Sequence, residues 1–260
     1  MPVRTPTWRH PLQLVATHPI AAALALVVIA TAIFLAFPQI DLWFSQLFYR
    51  SRGGFWLRKN DMLGLFRSTN DVLIAAIVVV LIAAVAAKLA RPEKPAPIAP
   101  NIVVYLLSSL VLGPLLLVNV ILKNTWGRPR PVQVDLFGGD APYVEVWQIT
   151  DWCDRNCSFV SGEASSAIWL VAVALVLPKS VRLPATALVV AYAILLSLNR
   201  IAFGGHFLSD VVLSFGLTLL LVAVLHRIII ARPPASLSNA ALEAGLTRIG
   251  WALRGGGGTT

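Results

Sequence analysis

IVVYLLSSLVLGPLLLVNVIL, residues 102–122, runs twenty-one positions without a charge and stops at Lys123. About 20 helical residues cross the hydrocarbon core of a bilayer, so this stretch reads as a membrane span. Five further apolar segments surround it: Pro19–Phe37 and Val72–Leu89 before, then Ala164–Leu177, Pro184–Leu198 and Phe207–Leu225. The fourth of the six, Ala164–Leu177, is short by itself and must recruit the Ser161 turn and the Pro178 edge. Composition agrees: 57% of the 260 residues are hydrophobic, 13% are charged, and the mean hydropathy is +0.77. The expectation is an all-α, polytopic bundle of six transmembrane helices forming one domain over residues 1–235. Residues 236–260 follow as a cytoplasmic segment, with Leu242, Leu246, Ile249 and Leu253 on one face of an amphipathic helix and Gly255–Thr260 as a flexible tail. The first apolar segment is longer than the roughly 7–15 residue core of a signal peptide and lacks a small-x-small site before Pro38, so it reads as an uncleaved span.

Basic residues orient the spans. Arg4 and Arg9 precede the first; Lys88, Arg91 and Lys94 follow the second; Lys179 and Arg182 follow the fourth; Arg227 and Arg232 follow the sixth. With six spans these clusters share one side, which the positive-inside rule makes cytoplasmic along with both termini. Arg50, Arg52, Arg58, Lys59 and Arg67 stand against the rule, between spans one and two. Trp43, Phe44, Phe48, Tyr49, Phe55 and Trp56 accompany them, so that stretch reads as interfacial and amphipathic.

Ionisable residues at span ends are functional candidates by default. Lys123-x6-Arg130-Pro131 closes span three, Ser161-Gly162-Glu163 opens span four, Arg200 closes span five, and His206-x3-Asp210 opens span six. All fall on the outer face. Taken singly, each has a plain structural reading. Lys123 and Arg128 can snorkel, Pro129 and Pro131 can end a helix, Ser161 can cap one, and His206 with Asp210 can be a structural hydrogen bond. Taken together they describe phosphate chemistry. Lys123, Arg130 and Arg200 supply fixed positive charge, and arginine forks match phosphate oxygens. Ser161 and Gly162 sit at a helix N-terminus, which presents free N–H groups. His206 and Asp210, four apart, share a helical face, as in a catalytic histidine oriented by an aspartate.

At these residues the chain resembles the type 2 phosphatidic acid phosphatase superfamily, whose pattern is Lys-x6-Arg-Pro, Pro-Ser-Gly-His and Ser-Arg-x5-His-x3-Asp. The resemblance implies a metal-independent, cofactor-free phosphatase acting on a membrane lipid phosphate. His206 would be the nucleophile forming a phosphohistidine, supported by Asp210, with Lys123, Arg130, Ser161, Gly162 and Arg200 holding the phosphoryl oxygens. Three positions depart from the pattern: Val160 for proline, Asn199 for serine, and Glu163 for the histidine that protonates the leaving alcohol. Glu163 can replace that acid if it is protonated only in the substrate complex. Otherwise it contacts a sugar hydroxyl or amine, or the protein binds or transports its phospholipid without hydrolysis. Vanadium haloperoxidases share the constellation but are soluble, which six spans oppose.

The run Cys157-Ser-Phe-Val-Ser-Gly-Glu163 is similar to the lipid A phosphatase branch; phosphatidylglycerol phosphate, phosphatidic acid and undecaprenyl pyrophosphate remain alternatives. The polar segment from Val132 to Phe159 is expected to roof the site. Its Cys153 and Cys157 favour a disulfide over a metal pair, because no histidine lies near. A disulfide beside an outer site points to the bacterial inner membrane with the site facing the periplasm. The net charge of +9 flanks apolar spans and forms no nucleic-acid-binding stripe; it suits anionic lipid.

Overall fold

The structure is a computed structural model and describes residues 17–255. Arg4, Arg9 and the tail from Gly256 lie outside the described residues. In chain order the elements are α1 (Pro19–Ala36), α2 (Gln39–Gln46), a two-stranded hairpin of β1 (Tyr49–Arg50) and β2 (Gly54–Phe55), and α3 (Asp61–Ala90). They continue with α4 (Pro100–Thr125), α5 (Gly162–Val176), α6 (Lys179–Ala202), α7 (Leu208–Ala231) and α8 (Asn239–Leu253). Five of them, α1, α3, α4, α6 and α7, are long and apolar enough to cross a membrane.

The segment expected as the fourth of six spans is α5, and it falls short of the others. Fifteen residues at about 1.5 Å each make roughly 22 Å, against a bilayer core of about 30 Å. Its position accounts for its composition. α5 packs on α4, α6 and α7, and Ala164, Ala167, Ile168, Trp169, Leu170, Ala172 and Ala174 are buried around most of its circumference. A helix apolar on every side belongs in the middle of a bundle. The outer helices instead expose Val28, Val79 and Leu188, a surface suited to lipid.

Local chemistry sets the helix ends. α3 starts well before its apolar run because Asn60 caps it, with Oδ1 accepting the Leu63 N–H at 3.0 Å. That early start winds Arg67 into the helix. Ser161 caps α5 in the same way, accepting from the Ala164 N–H at 3.3 Å. Pro114 cannot donate within α4, and Val111–Leu122 widens into π-helical turns. There Asn119 Nδ2 donates to the Pro114 carbonyl at 2.7 Å.

The basic, aromatic stretch after α1 is not one amphipathic segment. It is divided among α2, the hairpin, a 3-10 turn over Trp56–Lys59 and the start of α3. Glycines at 53 and 54, both at positive φ, turn the chain back and break any longer helix. At the opposite end of the bundle α8 docks through Glu243, whose Oε1 is 2.7 Å from Lys88 Nζ and accepts the Ala96 N–H at 3.0 Å. Leu242, Leu246 and Ile249 line an apolar crevice of about 240 Å³ against α3 and α4. Leu253 does not join them; it is 72% exposed.

Candidate active site

The capped N-terminus of α5 is the meeting point. A Cβ added at Gly162 would lie 3.2 Å from Lys123 Nζ and 2.5 Å from Asn119 Oδ1, so a larger residue would have to push these two side-chain ends away from the α5 backbone. Lys123 Nζ also lies 3.3 Å from Asn156 Oδ1. Arg130 donates to the carbonyl of that same Asn156 through Nη2 at 2.6 Å and Nε at 3.2 Å. Neither cation has a carboxylate within ion-pair distance among the described residues. Glu163 extends the cluster to α3 and α6: Oε1 is 2.7 Å from Arg67 Nη2, and Oε2 is 2.9 Å from Arg200 Nε. Arg200 leads on to the histidine, because a Cβ at Gly205 would sit 2.5 Å from its Nη2.

His206 is almost wholly buried, at 1% exposure. Its Nδ1 is 2.8 Å from the Ser158 carbonyl. A carbonyl can only accept, so Nδ1 carries the proton and Nε2 keeps its lone pair. Burial pulls the imidazole down to about 4, leaving it neutral at physiological pH. This is the state a nucleophile needs.

Asp210 does not touch the ring as a hydrogen-bond partner; Oδ2 is 3.9 Å from Nδ1. Its oxygens are occupied elsewhere. Oδ1 receives Arg128 Nη1 at 2.6 Å, while Oδ2 receives the Ser158 hydroxyl at 2.5 Å and the Phe207 N–H at 2.9 Å. Asp210 therefore fixes Ser158 and the start of α7, and Ser158 in turn orients His206. The expected aspartate-to-histidine support runs through a backbone carbonyl.

Arg128 is not a snorkelling residue. It is fully buried between Asp210 and Asp41, with Nη2 2.9 Å from Asp41 Oδ2. Nε donates to the Val144 carbonyl at 2.8 Å and Nη1 to Ser209 Oγ at 2.9 Å, and the guanidinium lies 4.6 Å from the Phe207 ring centroid. Burial opposes its charge, but Asp210 and Asp41 outweigh burial and hold it protonated above the usual arginine range. The fork ties α2, the roofing segment and α7 behind the histidine.

Cys153 and Cys157 are joined by a disulfide, their Cα atoms 5.7 Å apart. The five-residue loop they close carries Asn156. It is pinned where the Cys157 N–H donates to the Lys123 carbonyl at 3.0 Å and the Ser158 N–H to the Arg128 carbonyl at 2.9 Å.

Lys123, Arg130, Ser161, Gly162, Glu163, Arg200, His206 and Asp210 thus belong to one connected cluster. Reading the sequence missed Asp41, Arg67, Asn156 and Ser158 and underrated Arg128. Asp41 left a usable trace, as the one acid in the forty residues that follow Pro19. Ser158 and Asn156 left none, because each pairs its side chain and its backbone carbonyl with residues distant in the chain, which spacing does not show.

Helical spans joined to a buried, neutral histidine beside cations define a membrane protein built to engage a phosphate. The chain belongs to the PAP2 superfamily, which residues 102–233 match. It is 39% identical to a lipid A 4′-phosphatase of Rhizobium leguminosarum over 217 residues, 75% of this chain and 89% of that protein. A lipid A 4′-phosphatase of Rhizobium etli is 40% identical, over 75% of this chain and 80% of its own length. One from Francisella tularensis subsp. novicida is 34% identical, over 69% and 81%. No solved structure matches the chain significantly.

Proposed function

We propose that this membrane lipid phosphatase removes the 4′-phosphate of lipid A, the activity its relatives' names give for them, and that it acts on the glucosamine disaccharide on the periplasmic side of the bacterial inner membrane. The observation that carries the chemistry is the neutral His206, with Nδ1 tied to Ser158 and Nε2 free, beside Lys123, Arg130 and Arg200. Five apolar spans packed around the shorter, central α5 support a site recessed at the outer helix ends. Lys88, Lys179 and Arg182 at the far ends, and the disulfide at the near end, support the orientation.

The phosphoryl oxygens occupy the cradle of Lys123, Arg130, Arg200 and the N–H group of Gly162. The Ser161 N–H, expected to join them, instead donates to the Asp210 carbonyl at 3.2 Å, so Ser161 serves as the cap that holds Gly162 in place. Nε2 of His206 attacks phosphorus in line as the P–O ester bond breaks, and the electron pair leaves on the sugar oxygen. In the free enzyme Glu163 is shared between Arg67 and Arg200. Phosphate oxygens take over those guanidiniums in the complex, so Glu163 binds a proton and passes it to the departing oxygen. The resulting carboxylate then accepts a proton from the water that cleaves the phosphohistidine, releasing phosphate and restoring His206. The cradle stabilises the developing charge electrostatically.

Phosphate release with EDTA present, from a panel containing lipid A, phosphatidylglycerol phosphate, phosphatidic acid and undecaprenyl pyrophosphate, tests this reading. Lipid A should be preferred and His206→Ala should abolish release. Preference for another lipid overturns the substrate; release that survives in the variant overturns the mechanism.

A further inference from the structure

The basic residues that break the positive-inside rule have no part in the chemistry above, apart from Arg67. Two of them, Arg58 and Lys59, line a pocket of about 410 Å³ together with Trp56, Val132 and the backbone of Gly53 and Gly54. No carboxylate lines it. Neither side chain makes a hydrogen bond or ion pair with any described residue. Like Lys123 and Arg130 of the cradle they lack a carboxylate partner, but unlike those two they have no contact to Asn156 or any other hydrogen-bond acceptor among the described residues.

The pocket backs directly onto the active-site loop. The Val132 N–H donates to the Gly204 carbonyl at 3.1 Å, and Phe55, another wall residue, also packs on Gly204. Gly204 lies between Arg200 and His206 in the chain, so the pocket wall touches the loop that joins these two site residues. Arg58 is also among the cations that, after burial, depress Arg130. The Arg50 guanidinium lies 4.7 Å from the Trp56 ring centroid and braces the rim.

We infer that Arg58 and Lys59 form a second phosphate subsite that binds another phosphate on the headgroup whose first phosphate lies against His206. This rests on the reading of the protein as a phosphatase of a sugar-headgroup lipid. An arginine fork, an ammonium and a glycine turn suit phosphate oxygens. Phosphates of neighbouring phospholipids offer the same chemistry, but a pocket backed by the catalytic loop favours the substrate's own. The subsite explains why unpaired cations are kept on the outer face, where topology disfavours them.

The test compares kcat/KM for the doubly phosphorylated disaccharide lipid with that for the form carrying only the 4′-phosphate. It uses wild type, Arg58→Ala/Lys59→Ala and Arg58→Lys, in uncharged detergent and in phosphatidylglycerol vesicles. The double variant should lower the preference for the doubly phosphorylated lipid roughly tenfold, through KM, as two exposed charge contacts allow. Arg58→Lys should restore most of it. Equal losses on both lipids, confined to vesicles, would assign the pocket to neighbouring phospholipid and overturn the inference. An unchanged preference with unchanged rates overturns it as well. Wild type that hydrolyses neither disaccharide but does hydrolyse other lipid phosphates overturns the proposed substrate, and this subsite falls with it.

Discussion

Arg128 and Arg130 are two residues apart and both arginine, yet the structure gives them opposite jobs, which substitution should separate. Arg128→Ala leaves Asp41 and Asp210 without their shared partner in a site where both are at most 1% exposed. Removing one side of a buried ion pair costs about 3–5 kcal/mol. For a chain of this size roughly 2–4 °C of unfolding midpoint corresponds to each kcal/mol, so the midpoint should fall by about 10 °C. Arg128→Lys should fall between, since an ammonium on a flexible stem cannot donate at once to Val144, Ser209, Asp210 and Asp41. Arg130→Ala loses only its bonds to the Asn156 carbonyl. Its midpoint should stay within a few degrees of wild type while phosphate release drops about 10²–10³-fold, the scale of one lost oxyanion donor. Tryptophan-detected thermal unfolding in detergent, run beside the phosphate assay, reads both quantities. An Arg128→Ala protein with a wild-type midpoint, or equal midpoint losses for the two alanine variants, would refute the division of roles.

Glu163→Gln should cost about 10²-fold or more on an alkyl or sugar phosphate and far less on a nitrophenyl ester, whose leaving group needs no proton. Equal losses on both would make Glu163 a positioning residue for Arg67 and Arg200. His206 should show its depressed value in stability. Between about 6.5 and about 4 the unfolded chain takes up the proton and the folded chain does not. The stability of wild type relative to His206→Gln should therefore be constant above about pH 6.5 and decline as pH falls towards 4. A flat difference over that range contradicts a buried neutral imidazole. Reducing the Cys153–Cys157 bond should remove about 2 kcal/mol, the chain-entropy value for a five-residue loop. It should also raise KM by loosening Asn156 between Lys123 and Arg130; an unchanged KM in fully alkylated protein would separate that loop from the cradle.

Sequence by itself determined which residues sit at span ends. Apolar run length depends on the chain alone, and Lys123, Ser161, Arg200 and His206 interrupt or bound such runs. Capping is equally local, so Ser161 could be read as the start of a helix. What the chain did not disclose was pairing across distance. Asp41 and Arg128 are 87 positions apart, Arg67 and Glu163 96, and no periodicity links them. An aspartate four residues after a histidine looks like its direct partner, because spacing counts residues and not lone pairs. Only the tertiary structure brings Arg128, Ser158 and the Phe207 N–H to Asp210, using both its oxygens and passing the orientation of His206 to a backbone carbonyl. Helix ends follow from nearest-neighbour chemistry, whereas a buried charge takes its role from whatever the fold places within about 3 Å of it.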